Sequence, residues 1–293
     1  MKIVIGTRRA SLSLVQSRLV ANMLQAAGAD CELTPIKTIG DTLDVALAES
    51  GDKEVFIKEI DEALLTGEID VAVHDMKDVP TELRKGISIA AVPAREDPRD
   101  VFISTRARKL SGLPKGARVG TSSAARRAQL FIIRPDLDIV AMRGNIEGRL
   151  KKLHAGKVDA VILSASGLKR LGIGDVITEF LPPDRMIPAV GQGALAVEVK
   201  SRDRELVSFV HKACHNKATG IAIRAERSFL KAVGADYKMP VAAHAEIKPS
   251  GLVMQAFIAT PDEAHHVIEK KTGSLEDAQE IGKKLAEEML EKL

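Results

Sequence analysis

Short apolar runs alternate with stretches of helical period along most of this chain, and that alternation constrains its fold more than any other feature. Residues 2–5 read as a strand. Residues 11–27 carry Leu12, Val15, Leu19, Met23 and Leu24 near helical spacing, an amphipathic helix with that stripe facing the core. A strand at 33–37, a helix at 55–65 and buried strands at 69–73 and 87–92 complete a first set. A second set follows: strand 118–120, helix 123–133, strand 138–142, helix 146–154 and strand 158–163. Such βαβα order implies α/β domains with mostly parallel sheets covered by helices. In these folds ligands sit beyond the carboxyl ends of the strands, at helix N-termini.

Residues 93–99 and 181–191 are polar or proline-marked and read as crossings between domains. The strand at 194–199 has no place in the second set and is free to return to the first sheet, making a double hinge. Beyond Lys217 come a helix to Val233, strands near 242–247, 252–259 and 265–270, and a helix from Leu275, the pattern of a small α+β module. The domains are therefore expected at 1–93 with 194–213, at 99–187 and at 217–293.

Composition removes several function classes. The chain has 293 residues and a net charge of +3, and aromatics make up only 3% with no Trp, too few for single-strand nucleic-acid binding by stacking. No apolar run approaches the ~20 residues of a membrane span. The start, Met1-Lys2-Ile3-Val4-Ile5-Gly6-Thr7, lacks a secretory h-region. Cys31 and Cys214 make neither a disulfide framework nor a zinc knuckle, and the seven histidines show no metal-ligand spacing. A cytoplasmic, monomeric protein without metal, membrane or nucleic-acid partners is expected.

Charge placement matters more than its sum. Between Arg106 and Lys152 stand twelve Lys/Arg against Asp136, Asp138 and Glu147. These basics are spread over strand ends and helix starts rather than run together, which favours a cleft for a small anion over a nucleic-acid footprint. Gly120-Thr121-Ser122-Ser123 joins a strand to a helix bearing Arg126 and Arg127, and hydroxyls, helix N–H groups and arginines together make an anion site. N-capping by Ser122 or Ser123 explains the hydroxyls but not the arginines. Arg143-Gly144-Asn145 with Arg149 repeats the arrangement, and Arg8, Lys53 and Arg170 extend it to other strand ends and loops, so the ligand should carry several carboxylates. In His74-Asp75-Met76-Lys77-Asp78-Val79-Pro80, Lys77 can pair with a substrate carboxylate. Asp78 can accept a ring N–H and stabilise positive charge. The competing reading is a strand-end turn with Asp75 or Asp78 as a helix cap.

These segments resemble the hydroxymethylbilane synthase, or porphobilinogen deaminase, family over nearly the whole chain. The resemblance rests on Gly6-Thr7-Arg8, Pro35-Ile36-Lys37-Thr38 with Gly40-Asp41, the run from Val73 to Leu83, and Arg95-Glu96-Asp97-Pro98-Arg99-Asp100. It continues through Gly120-Thr121-Ser122-Ser123, Arg143-Gly144-Asn145, the run from Gly167 to Gly172, and Pro188-Ala189-Val190-Gly191-Gln192-Gly193-Ala194. It implies two periplasmic-binding-protein-like α/β lobes with the active cleft between them, plus a small α+β C-terminal domain. It also implies stepwise head-to-tail condensation of porphobilinogen, with loss of ammonia, primed on a dipyrromethane held through a cysteine thioether. By position, Asp78 would be the catalytic carboxylate. Arg8, Lys53, Lys77, Arg126, Arg143, Arg149 and Arg170 would hold acetate and propionate groups, with Thr121, Ser122, Ser123, Asn145 and Gln192 adding neutral hydrogen bonds.

The departures fall on the cofactor. Tyr237 stands where the family has the attaching cysteine, Ala125 replaces an arginine usual near the cofactor, and Ala10 and Asp75 replace serines. A phenol is a far weaker nucleophile than a thiol at neutral pH. The chain is therefore expected to condense porphobilinogen without the usual cysteine-linked dipyrromethane. The alternatives are a paralogue with a different pyrrole product and a non-catalytic binder of pyrroles or polycarboxylates.

Overall fold

The computed structural model describes residues 1–38, 57–234 and 239–293. The chain opens with β1 (Lys2–Arg8), α1 (Ser11–Ala26), β2 (Asp30–Ile36), α2 (Lys58–Thr66), β3 (Val71–Asp75) and β4 (Ile87–Ala91). Next come β5 (Asp100–Ser104), β6 (Arg118–Gly120), α3 (Ala124–Ile133), β7 (Asp138–Val140), α4 (Ile146–His154), β8 (Ala160–Ser164), α5 (Ala165–Arg170) and β9 (Glu179–Leu181). The remainder is β10 (Leu195–Lys200), α6 (Arg204–Cys214), α7 (Lys217–Val233), β11 (Val241–Lys248), β12 (Gly251–Ala259), β13 (His266–Gly273) and α8 (Ala278–Leu290).

The strands form two five-stranded sheets, β2-β1-β3-β10-β4 and β7-β6-β8-β5-β9, and a three-stranded sheet, β11-β12-β13. The architecture is thus two α/β lobes and a small C-terminal sheet with a helix. The two larger sheets share one plan. Each has two parallel pairings, then two antiparallel ones, made by β10 with β3 and β4 and by β5 with β8 and β9. The expectation of mostly parallel sheets is corrected accordingly. β5 and β10 are the first strands after the two crossing segments, so no crossover helix within their own lobe fixes their direction.

By compactness the described chain divides into two units, residues 1–96 with 194–223 and residues 97–193 with 224–293, the cut falling inside α7. In the first unit Ile3, Ile5, Val71, Val73, Val197 and Val199 bury one sheet face under α1 and α6, and Ile60 and Leu64 of α2 cover the other. The core face of α1 is Gln16, Ser17, Val20, Ala21 and Leu24, so of the residues read from spacing Leu24 is fully buried, Leu19 and Met23 pack against the core, and Val15 is exposed. Small side chains at 17 and 21 let the helix sit close to the sheet, while Leu19 and Met23 pack at its margin. The helix starts at Ala10 without a side-chain cap.

In the second unit β5 alternates, Phe102 facing one core layer and Val101 and Ile103 the other. The small sheet packs Ala242, Phe257 and Ala259 against Ala125, Ala128 and Ile187. Gly282 is set by packing: a Cβ there would clash with the Ala225 carbonyl oxygen. Among the described residues no helix is long and apolar enough to cross a membrane.

Candidate active site

In the first unit the segment expected from sequence to be reactive is a single 3-10 turn, Met76–Asp78, at the carboxyl end of β3. With three residues per turn, Met76 and Val79 fall on the same side. Both are buried among Ile57, Val92, Ala194, Ala196 and Ile223. The Met76 N–H donates to Ala194 O at 3.0 Å and Val79 N–H to Met76 O at 3.2 Å. Lys77 and Asp78 are thereby left half-buried on the opposite side. Asp75 occupies the cap position without a side-chain cap bond, so capping does not account for these charges. Arg8, half-buried, ends β1.

Beneath that turn His74 is 5% exposed, and its Nε2 lies 3.6 Å from Glu198 Oε2. Burial, reinforced by the charge of Arg8 and only partly opposed by Asp75, pushes the imidazole down to about 4. At neutral pH the pair is therefore a neutral ring beside Glu198 and not an ion pair. Asp61 joins them, the three ligand-type atoms lying within 4.8 Å of one another, a grouping invisible in sequence spacing. The Arg8 charge acting on His74 disfavours a metal cation there.

A pH prediction follows from His74. The unfolded imidazole protonates below about 6.5 and the folded one only below about 4. Stability is thus whole above pH 6.5 and falls by about 3 kcal/mol as pH drops from 6.5 through 4. Urea midpoints measured from pH 7 to pH 4 should show this loss, and His74→Gln should flatten it. An equally steep fall in the variant would show that His74 is not the source of the loss.

In the second unit the strand-to-helix joints carry the predicted anion groups, and their hydroxyls are engaged. Ser123 caps α3, its Oγ accepting the Arg126 N–H at 3.3 Å. Ser122 donates to Met142 O at 2.7 Å, and Thr121, 3% exposed, accepts the Ser123 N–H at 3.3 Å. Asn145 caps α4 through the Gly148 N–H at 2.9 Å. These four residues shape the loops that present the arginines.

Three of the arginines are held by protein acceptors. Arg126 is bound through Nε and Nη2 to Asp100 at 3.1 and 2.7 Å, and it also reaches Ile162 O and Gln192 Oε1. Gln192, fully buried, spends its amide on Pro98 O and Asp100. Arg170 donates to Gly193 O at 2.7 Å, and Arg149 to Gly144 O at 2.9 Å. Arg149 is nevertheless pushed down to about 10, by burial first and then by Arg126 and Arg143. A guanidinium does not give up its proton near neutrality, so Arg149 stays charged in a setting both desolvated and rich in cations. Lys53 and Tyr237 lie outside the described residues.

Spacing did not reveal the carboxylates that organise this unit. Asp100 sets Arg126. Burial alone would raise the Asp97 carboxyl, but bonds from Arg99 and Lys169 hold it well below the usual range. Glu226 of α7, fully buried, accepts the Gly191 and Ala245 N–H groups at 2.7 and 2.8 Å and so ties the 188–193 turn to β11. A charged residue facing inward at a helical position was the available signal.

The geometry defines a protein of two α/β lobes that offers a carboxylate beside a lysine in one and clustered guanidiniums in the other, chemistry suited to multiply acidic ligands. Residues 3–208 match the family model "Porphobilinogen deaminase, dipyromethane cofactor binding domain", and residues 221–291 match "Porphobilinogen deaminase, C-terminal domain". The chain is 47% identical to the porphobilinogen deaminase of Geobacter sulfurreducens over 98% of its own length and 90% of the relative's. It is 43% identical to that of Syntrophus aciditrophicus over 98% and 94%. Among solved structures, a periplasmic substrate-binding protein of an ABC transporter from Coxiella burnetii is similar at TM-score 0.47 and 15% identity, covering 74% of this chain and 93% of that one. The chain belongs to the porphobilinogen deaminase family.

The family's dipyrromethane is only half matched here. The guanidinium cluster fits its acid groups. A thioether has no evident sulfur: Cys214 is 6% exposed with its thiol pushed up to about 11 by burial, and Cys31 packs on the same core with its thiol also raised, by burial and by Asp30.

Proposed function

We propose that this protein condenses porphobilinogen head to tail with release of ammonia, as a transferase of the hydroxymethylbilane synthase type. Asp78 accepts the pyrrole N–H and stabilises the ring cation that forms as the aminomethyl C–N bond breaks. It does so again while the new C–C bond forms and the α-proton leaves. Lys77, Arg8, Arg143, Arg149 and Arg170 bind acetate and propionate groups, Lys53 being assigned with them from sequence. Arg126 does so from a position set by Asp100 and Gln192. Thr121, Ser122, Ser123 and Asn145 hold the loops and offer hydrogen bonds at their edges.

The observation that carries this reading is the charge cluster of Arg126, Arg143 and Arg149, where Arg149 is depressed by burial first and then by its two cationic neighbours; such a cluster suits a substrate with two carboxylates per ring. The two free cysteines support a cytoplasmic, reducing setting, and action as a monomer goes with the same reading.

The test is ammonia release from porphobilinogen by the purified protein. Arg143→Ala should raise KM by about 10- to 100-fold for the free acid, the loss of one charged hydrogen-bonded contact. Binding of the esterified pyrrole should change little. Equal losses for acid and ester would assign Arg143 to the fold, and pyrrole binding without ammonia release would make the protein a binder.

A further inference from the structure

Residues 215–293 contain no cysteine, and Tyr237 occupies the position where the family's thioether forms. Of the two cysteines present, Cys214 is buried and Cys31 is half-buried against the same core, both with thiols raised by burial, whereas sulfur alkylation proceeds through the thiolate. A second observation is independent of sulfur. Ala125, at the place of a cofactor-side arginine, is 8% exposed and closed into an apolar cluster with Ala128, Ile187, Ala242, Phe257 and Ala259. A guanidinium there would be buried among methyl and phenyl groups at a cost of several kcal/mol. The cations that remain are Arg126, paired with Asp100, and Arg143 and Arg149, close enough that the charges of Arg126 and Arg143 act on Arg149.

We propose that this protein holds the first unit of its growing chain non-covalently, as a carboxylate-bearing pyrrole ion-paired to Arg143 and Arg149, so that the primer exchanges with solution. The inference rests on the condensing activity proposed above. A covalent tether keeps a primer in place at a high effective concentration through every cycle. Without one, retention depends on the dissociation rate of several charge-assisted hydrogen bonds, and it acquires the salt sensitivity of those bonds.

The chemistry changes in one countable respect. In each coupling the protonated aminomethyl group of one porphobilinogen leaves as ammonium while the α-carbon of another ring forms the C–C bond and gives up its proton. A chain begun on free porphobilinogen therefore keeps the aminomethyl group of its first ring. Ammonia released is then one fewer than the number of rings, until water displaces that last amine and leaves a hydroxymethyl end.

The test combines three readouts on the full-length protein incubated with porphobilinogen. Denaturing intact-mass analysis should give the bare polypeptide. Rapid desalting under native conditions should retain Ehrlich-reactive pyrrole at low salt and lose it several-fold between about 0.05 and 1 M salt, as the screening length falls to ~3 Å. Early-time ammonia should fall short of porphobilinogen consumed, by one per chain. Tyr237→Cys should gain a mass of pyrrole units on that residue. A pyrrole adduct on the wild-type chain under denaturing conditions would overturn the proposal while leaving the condensing activity intact. So would ammonia release with no pyrrole retained at any salt, or a Tyr237→Cys protein that stays unmodified. Absence of both ammonia release and pyrrole binding would instead strike down the functional reading on which it rests.

Discussion

Asp78→Asn should lower the rate of ammonia release from porphobilinogen by about 10²- to 10³-fold, the scale on which a single electrostatic or acid–base group contributes to a transition state. The amide preserves volume and one accepting oxygen, so substrate still fits. What it loses is the negative charge, needed twice per coupling: when the C–N bond breaks and again when the new ring carries positive charge before its α-proton departs. The effect should lie in kcat more than in KM, because the pyrrole ring itself is neutral in the ground state and becomes cationic only during the reaction. Folding should be preserved. The turn is fixed by the Met76 and Val79 backbone bonds and by burial of those two side chains, and the substitution touches none of these. Lys77→Met is the informative contrast, since a residue that pairs with a substrate acid should raise KM instead. A rate unchanged in Asp78→Asn, at saturating porphobilinogen and with an unaltered unfolding midpoint, would remove Asp78 from the chemistry.

The repeating βαβα pattern made the lobes legible because each strand or helix there is a local, periodic run of apolar residues. Directions and partners were less legible where they depend on long-range pairing. β5 has only Val101, Phe102 and Ile103 as its apolar centre, follows a polar crossing, and takes its antiparallel neighbours from residues 160–164 and 179–181. α1 was placed correctly in sequence, yet its buried face is only partly the stripe of large residues: Leu24 is buried and Leu19 and Met23 pack on the core, but the face centres on Ser17 and Ala21, which admit a closer approach than Leu12 and Val15. At the proposed site, Lys77, Asp78, Arg143 and Arg149 stand out in the sequence as charges at strand ends and helix starts. That Ser122, Ser123 and Asn145 spend their side chains on loop and helix ends could be suspected from capping preference alone. That Gln192 and Asp100 converge on Arg126 could not, since those contacts span 66 and 26 residues. Lone carboxylates in a sequence give no sign of which distant arginine they will meet.

Asp100→Ala should destabilise the protein by about 3–5 kcal/mol, because it leaves the Arg126 guanidinium buried without its counter-ion. The side chains of Asp100 and Arg126 are 1% and 12% exposed, so water cannot replace the lost carboxylate, unlike at the exposed bridges elsewhere on the surface. The damage should extend to Gln192, whose amide donates to the same Asp100 oxygen at 2.7 Å and whose carbonyl accepts from Arg126. Arg126→Ala should also be costly, since it strands a fully buried carboxylate. The double variant should cost clearly less than the sum of the two, because removing both charges together leaves neither uncompensated. Denaturant unfolding of the four proteins closes this cycle, and each kcal/mol should move the thermal midpoint by about 2–4 °C in a chain of this size. The pair also sets the catalytic prospects of Arg126. In Asp100→Asn the guanidinium keeps a hydrogen-bonding neighbour of the same shape but gains net charge, so a tetracarboxylate dipyrrole should bind no more weakly even as stability falls. Simple additivity in the cycle would show that Asp100 and Arg126 act separately, and loss of dipyrrole binding in Asp100→Asn would show that the orientation of Arg126, more than its charge, is what the ligand reads.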